Sequence, residues 1–291
     1  MVKQVLRDNV NDIEATITRL ESAPSTAGAL PEDIQSLGVR LAPPSPGINA
    51  ARQKIEAEIE FACSQYDQIF HRGVARARPK LQIITPDSHN SFYLPERDQI
   101  FTPALAADIP DMVYRESAHA YLMEAGLGNI GASGTYAIES SYGDVLALWL
   151  KQKKVSGISP ESQWILYEGA VAWILGGDPK TDRRPLRSFK SPGSAYKNAG
   201  VLGDDMQLER YSGGATKDPN AASGISNKAF YETATRLDSD RAVRIWIAAL
   251  PALSKKLTFQ TLATATAEAA RSIFGADGEA KVREAWHVVG L

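Results

Sequence analysis

The chain has 291 residues, 44% of them hydrophobic and 23% charged, with a formal net charge of −2. That length supports one large domain or two lobes sharing a substantial core, and the near-neutral charge gives no basis for binding nucleic acid or a membrane surface. No stretch approaches the roughly eighteen uninterrupted apolar residues of a membrane-spanning helix, and Cys63, the only cysteine, excludes an intramolecular disulfide and a cysteine-built metal site.

Val2, Val5, Leu6, Ile13, Ile17 and Leu20 recur at helical spacing and predict an amphipathic N-terminal helix. Lys3, Arg7, Asp8, Asp12, Glu14 and Arg19 make the same segment too charged for the apolar core of a signal peptide. Together with the lone cysteine, this predicts a cytoplasmic protein. A break at Pro43-Pro44-Ser45-Pro46-Gly47 precedes a second long helix over 48–71, carried by Ile48, Ile55, Ile59, Ala62, Tyr66, Ile69 and Phe70. Strands are expected at 81–84, 91–94 and 99–101. Beyond Asp108 the pattern is mostly helical, with helices at 109–125, 136–153, 160–174, 225–237, 239–254, 258–274 and 278–288. The Gly-, Pro-, Asp- and Ser-rich stretch from Gly176 to Gly224 reads as long surface loops. The basic groups Arg72, Arg76, Arg78 and Lys80, and Lys151, Lys153 and Lys154, read as solvated.

This division predicts an α+β protein in three parts. A helical extension spans 1–47, a small mixed helix and strand lobe 48–108, and a helical lobe 109–291, with a substrate cleft between the two lobes.

Residues 112–122, Met-Val-Tyr-Arg-Glu-Ser-Ala-His-Ala-Tyr-Leu, carry most of a His-Glu-x-x-His motif. In the intact motif two imidazoles one helical turn apart hold zinc, and the glutamate between them is the general base. Glu116 and His119 stand in register, but Arg115 holds the first histidine position. A guanidinium has no lone pair to give a cation.

Further segments follow in an order that resembles the thermolysin family of zinc metallopeptidases over roughly residues 48–291. They are Asn90-Ser91-Phe92-Tyr93, Ser133-Gly134 with Glu139, Trp164 with Glu168, Leu186-Arg187-Ser188-Phe189 with Pro192, Ser223-Gly224-Ile225-Ser226-Asn227-Lys228-Ala229-Phe230-Tyr231, Ile245-Trp246 and Ala285-Trp286-His287-Val288-Val289-Gly290-Leu291. Tyr167 stands where the family has glycine in Trp-x-x-Gly-Glu. The family's larger N-terminal β region has no counterpart here.

The resemblance implies roles residue by residue. Glu116 matches the general base, His119 the second zinc ligand, and Arg187 the arginine that supports the transition state. Asn90, Ser91 and Tyr93 belong to the edge strand along which a peptide lies, with Arg115 lining the same site. Glu139 matches the third ligand by its spacing from His119. The family's aspartate four residues after that ligand points instead to Asp144, which would put Ser140 at the ligand position. Asn220 holds the position of the oxyanion-binding histidine.

Two of three functional histidines are thus replaced. The resulting expectation is a thermolysin-like protein without ordinary zinc peptidase activity and with no cofactor. Its cleft would bind a peptide or small molecule or serve a metal-independent reaction of Glu116. The alternatives are a zinc metalloendopeptidase with an irregular site, in which His89 joins His119 and Glu139, and a non-catalytic partner of an active homologue. Two placements are open for Arg115: in the metal's position, paired with Glu116 or Glu139, or on the helix exterior. His71 reads as a favourable charge at a helix end, and His287 and the five tryptophans as packing residues.

Overall fold

A computed structural model of the chain describes residues 40–70, 76–85, 90–127, 136–154, 162–213, 218–253 and 257–291. The expected helix at 1–20, His71, His89 and Ser133-Gly134 lie outside the described residues.

Helix α1, Pro46–Ile69, starts where the sequence supplies a cap and a stiff first turn. The Ser45 hydroxyl accepts from the Ile48 N–H at 3.2 Å, and Pro46 follows at the first position. Its buried stripe, Ile55, Ile59, Ala62, Cys63 and Tyr66, repeats at the three- and four-residue spacing of one face. Strands β1 (Lys80–Ile84), β2 (Phe92–Leu94) and β3 (Gln99–Pro103) form a sheet in the order β1-β3-β2. β1 runs parallel to β3, pairing Leu81 with Ile100, while β2 runs antiparallel, pairing Tyr93 with Ile100. β2 therefore ends one side of this sheet, and Leu41 bridges Ile84 on the other.

Helices α2 (Asp111–Glu124) and α3 (Tyr136–Lys154) are buried almost all round, as their sequences of small and large apolar residues require. They pack on one another, and α3 packs in turn on α5 (Pro219–Leu237). Between them the chain forms β4 (Ile165–Leu166), short α4 (Ala170–Ile174) and β5 (Arg187–Ser188), with β4 antiparallel to β5. Helices α6 (Ser239–Leu253) and α7 (Phe259–Val288) complete the fold, α7 kinked at Gly275, whose φ of 74° lies outside helical geometry. That kink accounts for the two helical segments read at 258–274 and 278–288. The core runs without interruption from Ile55 to Val289. Its aromatic centre has Phe230 edge-on to Trp246 at 5.3 Å and Trp246 stacked on Trp286 at 6.2 Å.

Three expectations need correction. The helix expected over 160–174 is instead a 3-10 turn (Ser162–Trp164), β4 and α4. Tyr167 (φ 61°) and Gly169 (φ 88°) adopt left-handed backbone, which ends any helix passing through them. α5 begins at Pro219 rather than 225, because Asp218 caps it, accepting from the Asn220 and Ala221 N–H groups, with proline at the first position. The start of this helix passes close to residues 207–208, and a Cβ on Gly224 would come 2.6 Å from the Leu208 carbonyl oxygen. Finally, Arg76 is not solvated. Its side chain is 8% exposed and pairs with Asp98 and Glu124 between the Tyr93 and Tyr121 rings. It thereby ties the β2–β3 turn to the end of α2, while Arg78 pairs with Glu60 and Asp67 on α1.

Candidate functional site

The middle of α2 carries Arg115, Glu116 and His119. Residues 115 and 119 are one helical turn apart and share a face, so both look toward α3. The close packing there depends on Gly143: a Cβ at that position would lie 2.8 Å from His119 Nε2 and 3.0 Å from Arg115 Cγ.

Arg115 turns inward. Nη1 donates to Glu116 Oε1 at 2.8 Å and Nη2 to Ser140 Oγ at 3.2 Å, while Nε lies 3.4 Å from Asp144 Oδ1. Of its two expected placements, the one inside the site is observed. The Ser140 and Asp144 contacts are four residues apart on α3, one turn of the same face. The register that brings Asp144 to residue 115 therefore sets position 140, one beyond Glu139, opposite Arg115.

Asp144 is the hub. It is fully buried and accepts from the Tyr167 hydroxyl at 2.9 Å and from Asn227 Nδ2 at 3.0 Å. Asn227 in turn accepts from Ser141 Oγ at 2.7 Å. Arg187 Nε lies 3.7 Å from the other Asp144 oxygen, and Arg187 Nη2 donates to Asn220 Oδ1 at 3.4 Å. β5 and the first turn of α5 thus bring Arg187 and Asn220 together, with both groups on the same polar network as Arg115.

The edge strand contributes backbone more than side chains. The Tyr93 backbone N–H favours the charged form of the Glu116 carboxyl. The Tyr93 hydroxyl points away from Glu116, donating to Asp98 at 3.0 Å and accepting from Arg76 at 3.0 Å. Ser91 is buried against Thr102, their hydroxyls 2.6 Å apart. Asn90 is exposed. Of the three strand residues expected to meet a ligand, two turn their side chains into the protein.

Burial and charge set the ionisation of the site. Burial pushes the Glu116 carboxyl above the usual carboxylate range, opposed by Arg115 and the Tyr93 N–H. Burial disfavours the Arg115 charge, but Glu116, Tyr167 and Asp144 outweigh it and hold the guanidinium firmly protonated. His119 is held well below the ordinary imidazole range by burial and by the neighbouring Arg115 cation.

A zinc ion needs a set of convergent lone-pair donors, commonly three from the protein and one water. Among the described residues no three His, Cys, Asp or Glu side chains converge. At this site the residue one turn from His119 bears a guanidinium, which donates to a serine hydroxyl on α3. Neither of the two supplies what an imidazole and a carboxylate would give a zinc ion, so the residues present do not fit the group. His287, expected to pack, is exposed on α7, remote in sequence from the site. Three network members were not assigned a site role from sequence: Ser141, Tyr167 and Asn227. The last two lay in segments carrying the resemblance, and Tyr167 was marked by replacing a glycine.

Residues 125–291 match a family described as thermolysin metallopeptidase, alpha-helical domain. A zinc metalloproteinase of Listeria monocytogenes is 31% identical over 186 residues, 62% of this chain and 32% of that protein. Protease PrtS of a Photorhabdus species is 31% identical over 170 residues, 53% of this chain and 43% of that protein. The matched regions thus span less than half of these curated relatives' length. Among solved structures, the precursor of protealysin, a metalloproteinase from Serratia proteamaculans, superposes with a TM-score of 0.69 at 23% identity, covering 95% of this chain and 97% of that one. The α+β architecture is therefore shared with that precursor. With more than half of its length matching the helical domain, the chain belongs to the thermolysin metallopeptidase family.

Proposed function

We propose that this chain is a thermolysin-like protein without ordinary zinc peptidase activity, whose cleft is kept for binding a peptide or another small ligand. The observation that carries this reading is the 2.8 Å ion pair between Arg115 and Glu116. Metal-assisted hydrolysis needs a Lewis acid and a free carboxylate to take the proton of water. Here the residue preceding Glu116 brings a fixed positive charge and no lone pair, and its donors engage the very carboxylate that would act as base. Asn220, beside Arg187, can donate a hydrogen bond to an oxyanion but cannot offer an imidazolium. Proteolysis is a property of the relatives that bear the name.

One observation favours a variant of this reading, in which the site runs a metal-independent reaction. Burial raises the Glu116 carboxyl, against the opposing pull of Arg115, and an upward shift is the direction that favours a carboxyl acting in proton transfer. Glu116→Gln separates the two forms, leaving affinity largely intact in a binding module and abolishing turnover in a repurposed enzyme. The buried lone Cys63 suits a reducing compartment such as the cytoplasm.

The test is metal content by mass spectrometry of the protein as purified and after zinc loading, alongside casein cleavage with and without chelator. The expected result is no bound zinc in either state and no chelator-sensitive cleavage. One zinc per chain, with cleavage lost in Glu116→Gln, would overturn the proposal.

A further inference from the structure

We infer that the Arg115 guanidinium performs the structural work of a bound cation, and that positions 115 and 140 alone separate this site from one able to hold a divalent ion. This deepens the metal-free reading above and rests on it.

Two acidic side chains are buried here on neighbouring helices, Glu116 on α2 at 4% exposure and Asp144 on α3 at 0%. Buried carboxylates need a compensating charge or hydrogen bonds to every oxygen. A single guanidinium, itself 16% exposed, reaches both, and its remaining edge reaches Ser140. Arg187 alone does not do this, since it lies only on the Asp144 side at 3.7 Å. Arg115 therefore supplies one positive charge shared by both carboxylates, with Arg187 adding a second on the Asp144 side, and it cross-links α2 to α3 as an ion coordinated from both helices would. Unlike an ion, it is covalently tethered and cannot be extracted.

The geometry also says which residues make the difference. Ser140 faces Arg115, and His119 lies one turn along α2 from Arg115, over Gly143. Residue 139 is turned about 100° around α3 from residue 140. An imidazole at 115 and a carboxylate at 140 would join His119 to give two nitrogens and an oxygen donor set, the combination that suits zinc. Asp144 already contacts residue 115 and would support an imidazole there.

The experiment is thermal unfolding of the wild type, Arg115→Met and the double variant Arg115→His/Ser140→Glu, each with chelator and with added zinc chloride, plus zinc counted by mass spectrometry. The wild type should melt at the same temperature in both conditions. Arg115→Met should melt about 10 °C lower in both, the scale of a buried pair broken on one side in a chain of this size. The double variant should bind one zinc per chain and melt higher with zinc than with chelator. Adding Glu116→Gln and Asp144→Asn to Arg115→Met should recover much of its loss, which a purely packing role for Arg115 would not produce. An Arg115→Met protein as stable as the wild type would overturn the inference. So would a double variant that folds, by circular dichroism, yet ignores zinc. If the double variant does not fold, the charge-removal rescue still decides. None of these readouts is peptide cleavage, so a wild type that cleaves casein would sink the proposed function separately.

Discussion

His119 Nε2 rests against the one position of α3 that has no side chain, Gly143, where a Cβ would stand 2.8 Å away. A glycine inside a helix costs about 1 kcal/mol relative to alanine, so this position gives up helix stability to admit an imidazole and the Arg115 stem. The result is a site whose shape is set by packing as much as by charge.

Gly143→Ala should therefore destabilise the protein despite its better helix propensity. The added methyl meets His119 Nε2 and Arg115 Cγ, and overpacking of this kind costs about 1–3 kcal/mol. Urea unfolding checks this. His119→Ala combined with Gly143→Ala should recover part of the loss, and an unchanged or raised midpoint for Gly143→Ala alone would refute the contact.

Tyr167 holds left-handed backbone at φ 61°, a conformation that strains any residue but glycine. Its hydroxyl donates to buried Asp144 at 2.9 Å and its N–H to Asp111 at 2.7 Å. Tyr167→Phe keeps the ring and the backbone bond but removes the hydroxyl, and should cost about 1.5–3 kcal/mol, the range for a hydrogen bond to a charged group. Tyr167→Gly relieves the strain but also empties the ring's site, and should be less stable than the wild type. Equilibrium denaturation of both variants distinguishes the two contributions.

Asn227 is fully buried and bridges α5 to α3, donating to Asp144 and accepting from Ser141. Asn227→Ala leaves both partners short of a hydrogen bond in the interior. A loss of about 2–4 kcal/mol is expected from two such groups, read as a lower unfolding midpoint. Asn227→Asp should be at least as costly, because it sets a second carboxylate against Asp144.

Acid sensitivity should come in part from Glu168. Burial tends to raise its carboxyl, but hydrogen bonds from Lys151 and Arg183 outweigh that and hold it below the ordinary glutamate range. A carboxyl with a lowered folded pKa stabilises the protein fully above its unfolded value and loses that contribution as pH falls through the folded one. Glu168→Gln should thus be destabilising near pH 7 and show a shallower loss of stability below about pH 4.5. Parallel pH profiles for variant and wild type would contradict the pairing.

Much of the fold is legible along the chain because its signals are local. Ser45-Pro46, the repeat of Ile55, Ile59 and Tyr66, and the alternation near Leu81 and Ile100 each act within a few residues. The misread segments are those where distant partners overrule local preference. Trp164 to Leu175 has helical periodicity, but pairing of Ile165–Leu166 with Arg187–Ser188 and the turn at Tyr167 break it. The basic run at Arg76 looks solvated until Asp98, Glu124 and two tyrosine rings close around it.

The sequence by itself determined the family, the identity of the residue types at the site and the substitution of Arg115 for a histidine, because motifs record side chains in order along one helix. It left open whether Arg115 faced inward and whether residue 139 or 140 stood opposite it. Only the packing of α2 on α3 decided both. A one-residue step turns a helix by about 100°, and nothing local to α3 says which face meets α2. The Asp144 contact with Arg115, spanning the two helices, fixes that rotation and brings Glu116, Ser140, Tyr167, Asn227 and Arg187 into one buried network.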